Sequence, residues 1–129
     1  MKLLLDTHAV LWFWWDDLQL SPTAKAAILD PTNQVFVSRA VPWEVAIKVS
    51  LRKLDIGGPY VGFFAQHMLR SGLRYLETHD DHLTALTTLP YHHRDPFDRL
   101  MIAQALVNNL HVVSADTAFD AYGVNRIWD

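Results

Sequence analysis

The chain has 129 residues, half of them apolar, with 5 Trp, 6 Phe and 4 Tyr. That is enough for one domain with a proper core, 1–129, and it excludes a disordered chain. There is no cysteine, so disulfide frameworks and thiolate metal sites are excluded. A formal net charge of -3 argues against general nucleic-acid binding.

Lys2 to Leu5 reads as a short buried strand with Asp6 at its carboxyl end. Ala9 to Trp15 reads as a very apolar helix. No run approaches the roughly 18–20 apolar residues of a membrane span. The N-terminal residues show no leader pattern, so a cytoplasmic location without membrane contact is expected. Ser21-Pro22 opens a second helix, to about Leu29, with serine at the cap and proline at the first position. Val35 to Val37 is a second strand, and Ser38 is placed to cap the helix from Ala40 to Leu51. Pro59 to Leu69 reads as a helix closed by Gly72, and Leu73 to Leu76 as a third strand. Thr78 is placed to cap a helix through Leu86.

The strongest start signal is Asp95-Pro96, an N-cap followed by proline. It predicts a helix from Pro96 to about Asn108. Asp98 shares one face of it with Met101, Ile102 and Ala105, at i, i+3, i+4 and i+7. A carboxylate on a core-facing stripe is either a first-turn acid favoured by the helix dipole or part of a site between helices. His111 to Ser114 is a fourth strand ending near Asp116, and Val124 to Ile127 a short fifth.

Strand and helix alternate throughout. The expectation is an α/β fold with a mostly parallel central sheet and helices on both faces. Ligands bind beyond the carboxyl ends of such strands, where Asp6 and Asp116 fall. Glu44 and Asp98, near helix starts, can converge there. Each acid has a plain alternative. Asp6 and Asp116 suit capping, and Glu44 suits an exposed i, i+4 pair with Lys48. Together, four carboxylates without cysteine suit Mg²⁺ or Mn²⁺ and metal-assisted phosphodiester hydrolysis.

The other polar residues read as ordinary surface. His79 and His82 flank acids on a polar face. His92-His93 falls in the loop before the last long helix, as solvated histidines. Arg39, Lys48, Arg94 and Arg99 are candidates for phosphate contacts. Four consecutive aromatics, Trp12 to Trp15, cannot all share one helix face, so some meet another element, a second subunit or a partner.

The motifs Leu-Leu-Leu-Asp6-Thr-His, Trp-Glu44-Val-Ala-Ile-Lys, His-Arg-Asp-Pro-Phe-Asp98-Arg-Leu-Met-Ile-Ala-Gln-Ala and Val-Val-Ser114-Ala-Asp116 occur in this order. They resemble the PIN-domain family, and more narrowly VapC-type toxins of bacterial toxin–antitoxin pairs. The resemblance runs from Lys2 to Trp128 and is most specific over Arg94 to Ala105. It implies a three-layer domain and an endoribonuclease using Mg²⁺ or Mn²⁺. It implies an acidic site of Asp6, Glu44, Asp98 and Asp116, with the Ser114 hydroxyl supporting it. It also implies an RNA substrate, a homodimer and a cognate VapB-type antitoxin.

Rival readings fit less well. A phospho-acceptor receiver domain needs an acidic pair after the first strand and a late lysine, but Asp6 stands alone and no lysine follows Lys53. A haloacid-dehalogenase-like phosphatase needs Asp-x-Asp there, and His8 occupies the second place. The reading from another class is a non-catalytic α/β binding or phospho-signalling module with an acidic pocket.

Overall fold

Leu3, Leu4 and Leu5 are all fully buried. Successive strand residues point to opposite faces, so a strand buried at every position is covered on both sides. That strand, β1 (Lys2–Leu5), is the centre of a five-stranded parallel sheet in the computed structural model, which describes residues 1–129. The others are β2 (Gln34–Ser38), β3 (Arg74–Leu76), β4 (His111–Val113) and β5 (Arg126–Ile127), in the spatial order β3-β2-β1-β4-β5. The register sets Leu5 beside both Val37 and Val113.

The chain therefore moves outward from β1 to β3, then returns and moves outward the other way. Right-handed crossovers place the helices of the two halves on opposite faces. The first half carries α1 (Thr7–Trp14), α2 (Pro22–Leu29), α3 (Ala40–Ser50) and α4 (Phe63–Ser71). The second carries α5 (Asp80–Thr87), α6 (Pro96–Asn108) and a 3₁₀ segment, Thr117–Tyr122. The reversal falls between β1 and β4, which is where such sheets bind ligands. No helix is long and apolar enough to cross a membrane.

The expected elements are present, with displaced boundaries. α4 starts at Phe63, not Pro59, because Gly62 sits at φ 78°, outside any right-handed helix. α5 is capped by His79, not Thr78. The His79 amide donates to Nδ1 of His82 (2.9 Å), and Nε2 of His82 lies 2.6 Å from Oδ1 of Asn108. His82 is thus fully buried and ties α5 to α6, a correction to its reading as a surface residue. Ser38 lies one residue too early to be the N-cap of α3, though its Oγ still accepts from the Ala40 amide (3.2 Å).

The aromatic run is largely absorbed within the chain. Trp12 stacks on His8 and meets Trp128. Trp14 packs against Phe63, Phe64 and His67, and its Nε1 donates to Ser71 (3.2 Å). Phe13 packs against the core, and only Trp15 is exposed.

Candidate active site

Asp6 is both a cap and a cavity wall. Its Oδ1 accepts the Ala9 amide (2.8 Å) at the start of α1, and its Oδ2 accepts the Ser114 hydroxyl. Ser114, fully buried beyond β4, also accepts the Asp116 amide (2.9 Å). One hydroxyl therefore fastens the ends of two neighbouring strands to each other. Burial pushes the Asp6 carboxyl above its ordinary range, against the lowering hydrogen bonds from Ser114 and Ala9.

Asp116 caps the 3₁₀ segment through Ala118 (2.9 Å), leaving Oδ2 free to face the cavity. Glu44, on α3, is buried rather than exposed. Its Oε1 accepts the Thr7 hydroxyl (2.6 Å) and its Oε2 pairs with Lys48 (2.6 Å). The i, i+4 pair anticipated in the sequence thus exists, but it is part of the cavity. Burial works against the charge on Lys48. Glu44, then Asp95 and Asp98, more than offset it and hold the ammonium above its ordinary pKa.

Asp98 stands in the first turn of α6 on the stripe with Met101, Ile102 and Ala105, which are all buried. Asp95 caps that helix, accepting from the amides of Phe97 (2.9 Å) and Asp98 (3.0 Å). Burial, and after it the Asp95 charge, push the Asp98 carboxyl up to about 7, against a lowering hydrogen bond from His93. That partner was not legible in the sequence. His93 is not a solvated loop residue: its Nε2 is 2.8 Å from Oδ2 of Asp98 and 3.6 Å from Oδ2 of Asp116.

The four expected acids therefore line one cavity of about 300 Å³ with no hydrophobic wall, together with Thr7, His8, Lys48, His93 and Asp95. Within it the ligand atoms of His93, Asp98 and Asp116 all lie within 4.8 Å of one another. Ligands on opposite sides of Mg²⁺ are roughly 4.2 Å apart, so atoms spread over as much as 4.8 Å would have to draw together slightly to share one such cation. The carboxylate oxygens suit a hard divalent cation such as Mg²⁺ or Mn²⁺. An imidazole ligand favours softer ions, so His93 fits better as the hydrogen-bond partner of Asp98 than as a ligand to such an ion. Burial first, and the neighbouring Asp95 and Asp6 charges after it, raise the Asp98 carboxyl, so holding it ionised here favours a nearby cation. Asp6 and Glu44 are fixed more tightly, since both oxygens of each already accept a hydrogen bond.

Of the candidate phosphate contacts, Lys48 reaches the cavity. Arg39 is paired with Glu77 (3.0 Å). Arg99 is buried and donates to the carbonyls of Leu89, Pro90 and His93, so it holds a loop rather than facing solvent.

Acids gathered beyond the strand ends, at the reversal of a parallel sheet, put the site where such folds bind ligands, and sequence comparison says which fold family this is. The PIN domain family model matches residues 3–125, and the chain belongs to that family. Among solved structures it is similar to VapBC2 from Rickettsia felis, bound to a DNA fragment from their promoter. The TM-score is 0.68 at 14% identity, covering 100% of each chain, and this supports the fold. No curated protein matches the chain by sequence.

Proposed function

We propose that this chain is a metal-dependent endoribonuclease and the toxin of a VapC-type toxin–antitoxin pair. The observation that carries the nuclease reading is the convergence of Asp6, Glu44, Asp98 and Asp116 on one polar cavity at the sheet reversal of a PIN fold. Asp98 and Asp116, with Asp6 directly or through water, are the proposed holders of Mg²⁺ or Mn²⁺. When bound, such an ion activates water, orients the phosphoryl group and stabilises charge on the leaving oxygen. The side chains have distinct tasks around it. Ser114 fixes the Asp6 rotamer. Glu44 holds Lys48, whose ammonium offers positive charge to an entering phosphate. The toxin reading, with a VapB-type antitoxin, a homodimer and a cytoplasmic setting, rests on motif resemblance and on likeness to a VapBC structure.

Purified Asp6→Asn and Asp98→Asn variants should keep the fold by circular dichroism and lose RNA cleavage in Mg²⁺ or Mn²⁺. Full cleavage by Asp6→Asn, with contaminating nucleases excluded, overturns the nuclease reading. Expression of the chain alone should arrest growth, and co-expression with the small reading frame beside its gene should restore it. A folded chain that is harmless and binds no neighbouring product overturns the toxin reading alone.

A further inference from the structure

The loop between α5 and α6 divides two cavities of opposite chemistry. It is wound around the buried Arg99 guanidinium, which donates to the carbonyls of Pro90 (2.8 Å), His93 (3.3 Å) and Leu89 (3.0 Å). Asp95 is extended (φ −63°, ψ 118°), as a residue before proline is biased to be. Neighbouring side chains of an extended segment point opposite ways. His93 and Asp95 accordingly line the acidic cavity. Arg94 and Pro96 line a second cavity, of about 380 Å³, with Tyr91, Arg99, Leu86 and Thr87.

That second cavity holds two arginines and no acid. Tyr91 is 79% exposed as a residue, yet the Arg99 guanidinium carbon lies over its ring, 3.8 Å from the centroid. Because carbonyl bonds fix that guanidinium, the ring rests on a rigid support and loses little freedom when something stacks on it. Arg94 is exposed and takes part in none of the ion pairs of the protein.

On the nuclease reading above, we propose that this cavity is the subsite for the nucleotide flanking the cleaved phosphodiester, with its base stacked on Tyr91 and its phosphate on Arg94. A chain of net charge -3 with an acidic centre repels a polyanion, so substrate affinity must come from local cations beside that centre. Single-stranded RNA is held by this combination of an aromatic platform and a cation. The dividing wall is a single backbone segment, so one strand crossing it would meet both cavities in succession.

The test measures binding of a labelled single-stranded RNA octamer by anisotropy, with Mg²⁺ present, in an Asp98→Asn background that prevents cutting. Tyr91→Ala should weaken binding about tenfold, and Tyr91→Trp should restore it. Arg94→Ala should weaken binding and reduce the slope of log K against log salt by about 0.7. In the Asp98-containing protein both changes should raise KM and redistribute the cut sites. Should Tyr91→Ala fail to fold, Tyr91→Leu removes the π-face while keeping bulk. If the unsubstituted chain cuts RNA while the Tyr91 and Arg94 variants bind and cut as it does, the subsite is overturned and the nuclease reading stands. An effect at Arg94 without one at Tyr91 overturns the stacking platform. Lost binding of a co-expressed small protein, with RNA affinity unchanged, makes the cavity a protein contact and overturns the proposal. No binding or cutting of RNA by the unsubstituted chain overturns the nuclease reading itself.

Discussion

Nε2 of His93 stands 2.8 Å from Oδ2 of Asp98 and 3.6 Å from Oδ2 of Asp116. The imidazole thus sits where two carboxylates converge, and it lowers the Asp98 pKa against burial and against Asp95. Four expectations follow from this crowding and from the loop that delivers it.

Cation binding should depend on pH. Asp98 must lose its proton to hold a cation, and its carboxyl titrates at about 7. Mn²⁺ affinity should therefore rise about tenfold per pH unit below that point and level off above it. His93→Ala removes a lowering contact and should move the break to higher pH. Calorimetric titration between pH 5.5 and 8.5 reads both effects, and a flat profile counts against Asp98 as a ligand.

Neutralising Asp98 should stabilise the metal-free fold. In the unfolded chain the group titrates near 3.8, and in the fold at about 7. Between those values the native state holds the extra proton, so stability falls as pH rises through the window. The full penalty then persists above pH 7. Asp98→Asn should melt higher than the parent at pH 8 in a chelator, by about 4 °C for each 1 kcal/mol relieved. Millimolar Mn²⁺ should shrink or reverse the gain, because it stabilises the parent more than a variant with one ligand fewer. Equal shifts with and without the ion would speak against a shared cation.

Asp95 carries two effects that substitutions can separate. It caps α6 through two amides and also raises the Asp98 pKa. Asp95→Asn keeps an oxygen acceptor at the cap while removing the charge. Asp95→Ala loses the cap, worth about 1 kcal/mol. Thermal melts at pH 8 should therefore rank Asn above Ala, and the reverse order would mean that the cap is not the main contribution.

Arg99 should be a stability residue. Removing a buried guanidinium that holds three loop carbonyls should cost about 3 kcal/mol or more. Lysine cannot reproduce the planar fork, so Arg99→Lys should rescue little. Urea melts give the cost. Limited proteolysis should show new cleavage between residues 89 and 95, and a protected loop in Arg99→Ala would refute the fastening role.

What the sequence determined by itself was local. The apolar run at Leu3 to Leu5, the Asp95-Pro96 start and the stripe through Asp98, Met101, Ile102 and Ala105 depend on spacing along one chain. Alternation of such elements was enough to anticipate a parallel α/β sheet. The reversal between β1 and β4 then made it physical for Asp6 and Asp116 to be neighbours, 110 residues apart in the chain. Only the tertiary structure decided which polar groups face one another. Glu44 is buried because Thr7 and Lys48 meet its two oxygens, and His82 is buried because His79 and Asn108 satisfy both ring nitrogens. His93 enters the cavity because Arg99 binds the carbonyls around it and fixes the path of the loop. Those partners come from other segments of the chain, and no periodicity records them.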